Sequence, residues 1–168
     1  MAAKQNFTDD EWKAIVAAPP MVGIAVASAS PSGPFGVVKE MMSVGLAMAD
    51  MVNKAGPNSL INALIDDVRN RETKPEKPDG IKNPEQAREH AIAHLARVAS
   101  IVDAKAPGDA AGFKQWLAEI GTRVAEASNE GGFFGFGGTR VSDDEKQMLA
   151  RIDSTLGTTG ASEGGASA

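Results

Sequence analysis

Two short stretches, FTDDEW at residues 7–12 and VSDDEK at 141–146, begin with the same helix-opening chemistry. In the first, Thr8 stands where an N-cap belongs, Glu11 sits three residues on to complete a capping box, and Phe7 can staple onto Trp12. In the second, Ser142 and Glu145 repeat the box. Between and beyond these starts the apolar residues recur at helical spacing, and no alternating run long enough for a strand interrupts them. The expectation is an all-α fold, a compact bundle of about seven helices.

The punctuation divides the chain accordingly. A first helix over 8–18 should stop before Pro19 and Pro20, because a proline inside a helix costs a hydrogen bond and clashes with the preceding turn. A short second helix of small residues follows from Met21 to the PSGP breaker. The third spans about 35–54, and its Met41, Met42, Met48 and Met51 read as core or as an adaptable partner groove. The fourth, NSLINALIDDVRN, places Leu60, Ile61, Leu64, Ile65 and Val68 on one side. The charged, proline-rich RETKPEKPDGIK reads as a solvated linker. Asn83 as N-cap with Pro84 behind it starts a fifth helix running to about Lys105, APGD breaks the chain, and AAGFKQWLAEIGTRVAEAS forms the sixth. The seventh ends at Gly157, and residues 158–168 read as a disordered tail on a single domain over 1–157.

Composition removes several functions. With no cysteine there is no disulfide, thiolate metal site or cysteine nucleophile, and a reducing cytoplasm is the simplest home. A net charge of -5 without a basic run argues against nucleic acid as a partner. Residues 14–38 carry no charge, yet their prolines cut them into pieces shorter than the roughly 20 residues that a transmembrane helix needs. The N-terminus lacks the apolar stretch of a signal peptide.

An internal duplication is visible when VGIAVASASPSGPFG from residue 22 is laid under IGTRVAEASNEGGFFG from residue 120. Gly23 meets Gly121, Val26 meets Val124, Ala27 meets Ala125, Ser30 meets Ser128 and Gly33 meets Gly131. After one inserted residue Phe35-Gly36 meets Phe134-Gly135. Two copies of a helix, glycine-phenylalanine loop, helix unit, approximately 8–56 and 110–157, account for this pattern; chance similarity of two alanine-rich helices is the alternative.

The second copy resembles the TerB-like tellurite-resistance proteins, small all-helical bacterial proteins. Shared features are the alanine-rich helix, the glycine loop, the start carried by Val141, Ser142 and Glu145, then Leu149, Ile152 and a closing Leu156-Gly157. The family's loop typically carries an Asp-Gly step, where this chain has Asn129-Glu130-Gly131 followed by GFFGFGG. The resemblance implies a stress-linked, non-catalytic role, with acidic residues that bind a cation.

Three places could carry function. Phe133, Phe134 and Phe136 sit on a glycine-rich loop ahead of Arg140. They either fold back to plug the core or stay out as anchors for a protein partner or a membrane surface. A phosphate cradle lacks the preceding strand and the following Lys-Ser or Lys-Thr. His90 and His94, one helical turn apart, have the spacing of a metal-ligand pair. The acidic starts, Asp9, Asp10 and Glu11 and again Asp143, Asp144 and Glu145, either cap their helices or together hold a divalent cation. No histidine stands with a serine and an acid in the pattern of a hydrolase triad. The expected function is a non-enzymatic protein-interaction module using the loop, with a divalent-cation-binding protein as the alternative and no other cofactor.

Overall fold

The computed structural model describes residues 4–29, 58–74, 82–130 and 141–158, without the side chains of 127–130. Within these residues the chain forms a 3-10 turn, Lys4–Asn6, and five α-helices: α1 (Asp9–Ala27), α2 (Ser59–Asn70), α3 (Pro84–Lys105), α4 (Pro107–Glu130) and α5 (Asp143–Leu156). No strand occurs among them. The all-α class is therefore established. The third expected helix, at 35–54, the Phe35-Gly36 and Phe134-Gly135 loops that anchor the duplication, and the tail from 159 all lie outside the described residues.

α1 is the central element. From Ala14 to Ala27 it is buried on nearly every side, packing most extensively against α3 and α4 and also touching α2 and α5. This explains the uncharged run in the sequence: a helix enclosed by its neighbours has no face on which to place a charge. It also corrects the expected break at Pro19-Pro20, since one helix passes through both. The prolines remove the N–H groups that would bond the carbonyls of Ile15 and Val16, at about 3 kcal/mol for each interior proline. Against this, Ile15, Met21, Val22 and Val26 are each 2 % exposed or less, and full burial of such a side chain is worth roughly 1.5–3 kcal/mol. Packing thus offsets the local penalty.

The caps read from the sequence are in place. Thr8 and Glu11 form the reciprocal capping box of α1, and Phe7 packs on Trp12 with ring centroids 5.8 Å apart. Asn83 accepts from the Gln86 N–H at the start of α3, with Pro84 behind it. Gly157, at φ 74°, closes α5 in the left-handed conformation that glycine adopts without strain. At the APGD corner α3 and α4 are separated by Ala106 alone, whose carbonyl accepts the Asp109 and Ala110 N–H groups, each at 2.9 Å.

α2 differs from its expected face. Leu60, Ile61, Leu64 and Ile65 are buried, but Val68 is 43 % exposed and the buried residue of the last turn is Asp67, 2 % exposed. Asp67 accepts hydrogen bonds from Lys4 Nζ (2.7 Å), Trp12 Nε1 (2.7 Å), and the Thr73 N–H and hydroxyl (3.0 and 2.8 Å). Burial alone would raise its pKa, and this is the largest single effect; the donors from Lys4, Trp12 and Thr73 together outweigh it and hold the carboxyl below its ordinary value. One carboxylate thereby joins the N-terminal turn, α1, α2 and the first residues of the segment expected to be a solvated linker.

At its other end α2 is fastened to α4. The Asp109 carboxylate accepts from Ser59 N–H (3.1 Å) and Ser59 Oγ (2.7 Å), while Asn58 Nδ2 donates to the Asp109 carbonyl (2.9 Å). α4 approaches α1 and α5 closely at Gly121, where an added Cβ would stand 3.2 Å from both Leu149 Cδ2 and Val22 Cγ1. The five helices share one continuous core, which includes Trp12, Ile15, Leu64, Leu95, Phe113, Ile120, Ile152 and Leu156.

Candidate functional site

Phe133, Phe134, Phe136 and Arg140 fall outside the described residues, but both anchor points of their loop are defined. On one side α4 runs to Glu130, and its inward face, Phe113, Trp116, Leu117, Ile120 and Val124, is buried in the core. On the other, Ser142 starts α5. Its N–H and hydroxyl each donate to the Glu145 carboxylate at 2.9 Å, and Glu145 N–H returns a bond to Ser142 Oγ at 3.2 Å. Glu145 is only 2 % exposed, so this capping box is embedded in the protein and fixes the start of α5. Val141, just before it, packs against the core.

The acidic helix starts do structural work of a defined kind. Glu11 closes the first capping box and accepts a bond from Lys105 Nζ at 2.6 Å, which ties the start of α1 to the end of α3. The Lys105 ammonium, followed by the Thr8 N–H, holds the Glu11 carboxyl below its usual range. In the second cluster Asp143 pairs with Lys146 at 3.1 Å on the surface, Asp144 is exposed, and Glu145 faces inward. The three acids of this start therefore point into different surroundings.

The two histidines are separated in the same way. His90 is exposed, whereas His94 is buried, with Nε2 2.8 Å from the Ala14 carbonyl. A carbonyl only accepts, so this nitrogen carries the proton and donates. The bond reaches α1 one residue ahead of the carbonyls that Pro19 and Pro20 leave without their usual helix donors. Glu89, next to His90, is engaged by Arg151 of α5 through two bonds of 2.7 Å, and the guanidinium lowers the Glu89 pKa. Among the described residues no group of three or more His, Cys, Asp or Glu is placed to hold a metal ion.

Asp67 and the Glu89–Arg151 pair were not singled out from the sequence as places of interest. Asp67 left one signal: it stands in helical phase with Leu60 and Leu64, on the face that should be apolar. The Glu89–Arg151 pair left none, since its members lie 62 residues apart. No helix of the described residues is long and apolar enough to cross a membrane. Comparison with family models, curated proteins and solved structures gives no match for this chain.

Proposed function

We propose that the protein is a non-enzymatic interaction module, TerB-like in kind and stress-linked in role. Phe133, Phe134 and Phe136, with Arg140 at their edge, make its contact with a protein partner in the cytoplasm. The observation that carries this reading is the mounting of the loop. Three phenylalanines within four residues lie in sequence between a core-packed helix and a capping box whose carboxylate is buried. Loops set on a rigid scaffold are the usual place for recognition, and clustered aromatic side chains are the usual anchors. The buried ionisable groups support the non-enzymatic part: Asp67 is a hydrogen-bonded clamp, Glu145 a cap, and His94 a donor to a backbone carbonyl.

The test is the triple variant Phe133→Ser, Phe134→Ser, Phe136→Ser. If the loop is the contact, the melting temperature stays within about 2 °C of wild type, the range expected of exposed substitutions. A partner retained by the immobilised wild-type protein is then lost by the variant. A fall of ten degrees or more, the order expected when several core phenylalanines are removed, would return these side chains to the core and end the proposal.

A further inference from the structure

The C-terminal end of α1, the first turns of α3 and the start of α5 enclose a polar hollow of about 300 Å³, lined by Ala29, Arg88, Asp144, Gln147, Met148 and Arg151. Its charges are unevenly engaged. Arg151 is held by both oxygens of Glu89 at 2.7 Å. Arg88 is half-buried, donates through Nη2 to the Ser28 carbonyl at 3.2 Å, and has an enclosed Nε without an acceptor. Among the described residues it has no carboxylate within ion-pairing distance. Asp144, on the α5 side, has no cation or hydrogen-bond donor as a partner among the described residues, although its neighbour Asp143 does. A guanidinium that shares the field of Glu89 with Arg151 but makes no direct ion pair, and a carboxylate without a partner among the described residues, thus line one hollow without pairing to each other, and the Gln147 amide lies on the same helix as Asp144.

The charge balance selects the ligand. Among the described residues, Arg88 and Arg151 against Glu89 and Asp144 leave the walls neutral, so a phosphate or other dianion gains no net field from them. A dipolar molecule gains at both ends: a carboxylate meets the guanidinium of Arg88 in a charge-assisted hydrogen bond, and an ammonium group meets Asp144. A volume of about 300 Å³ is at the small end of ligand pockets. Among the described residues its apolar walls are Ala29 and Met148, which suits a short or polar side chain. We propose that this hollow binds a free α-amino acid, with the carboxylate on Arg88, the ammonium on Asp144 and the remainder against Gln147 and Met148. The site is distinct from the Phe133 to Phe136 loop.

The experiment is a melting scan of the full chain against each of the twenty common L-amino acids at about 10 mM. Inorganic phosphate at the same concentration, and the N-acetyl and methyl-ester forms of the best binder, complete the panel. At about one hundred times the dissociation constant, linkage raises the melting temperature of a chain this size by roughly 5–10 °C. The expected result is a shift of that order for at least one amino acid. It is absent with phosphate and with either blocked form, and lost in Arg88→Met and Asp144→Asn. Asp144 is exposed and unpartnered, so its variant keeps the fold and tests the site even where Arg88→Met does not. No shift with any amino acid overturns the proposal. So does a shift that survives in Asp144→Asn, or one that phosphate alone produces.

Discussion

Replacing Asp67 by Asn keeps the shape of the side chain and removes its charge, which makes it the sharpest probe of how the N-terminal turn, α1 and α2 are joined. Three donors converge on Oδ2, from Lys4, Trp12 and Thr73 Oγ1, while Oδ1 receives the Thr73 N–H. An asparagine can keep its oxygen at the crowded position only by turning its amide toward the Thr73 N–H, donor against donor. Bonds to a charged acceptor are worth about 1 kcal/mol more than neutral ones, and an unsatisfied buried donor costs about 1–3 kcal/mol. The Lys4 contribution is discounted because that side chain is 44 % exposed. The sum is about 2–4 kcal/mol, or roughly 4–16 °C in melting temperature for a domain of this size. Urea unfolding followed by circular dichroism measures it. Repeating the measurement with Trp12→Phe and with the double variant isolates the Trp12–Asp67 bond, whose coupling should be about 1 kcal/mol. The pH dependence follows from the same group. Its folded pKa is lowered, so its stabilisation is present above the unfolded carboxyl range, near about 4, and is lost as pH falls through the folded value. Wild type should therefore lose stability more steeply than Asp67→Asn below that range. A variant within about one degree of wild type at neutral pH, with an unchanged acid limb, would refute the clamp.

Two further substitutions test the packing of α1. Gly121→Val places methyl groups against Leu149 and Val22, where even a Cβ is tight; overpacking of this kind should cost about 1–3 kcal/mol, read as a lower denaturation midpoint with an unchanged slope. His94→Leu removes the donor to the Ala14 carbonyl and should cost about 1 kcal/mol. If that imidazole serves as a donor rather than a ligand, zinc should move the melting temperatures of wild type and variant equally.

Much of the fold was legible because helix ends are written locally. Thr8 with Glu11, Ser142 with Glu145, Asn83 with the Gln86 N–H, and Gly157 each satisfy backbone groups through neighbours three or four residues away, and a linear reading finds them. Pro19-Pro20 misled for the converse reason. The local penalty is visible in the sequence, but the burial of α1 by four other helices is not. Asp67 and Val68 were exchanged between core and surface because Asp67 draws partners from Lys4 and Trp12, 63 and 55 residues away, and phase alone does not reveal them. The glycine-phenylalanine segment is read from composition alone and lies outside the described residues. The amino-acid hollow was not legible, because Arg88, Asp144 and Arg151 meet only when α3 and α5 pack.

The central claim, that the loop phenylalanines serve as an outward contact, is tested most directly by Phe134→Trp. The native tryptophans are 2 % and 4 % exposed at positions 12 and 116, so their emission is shielded and a new indole can be distinguished from them. The account predicts an added red-shifted emission, readily quenched by acrylamide, at an unchanged melting temperature. Partner binding should restore its protection. A blue-shifted, unquenchable indole in the free protein would place Phe134 in the core and contradict the account.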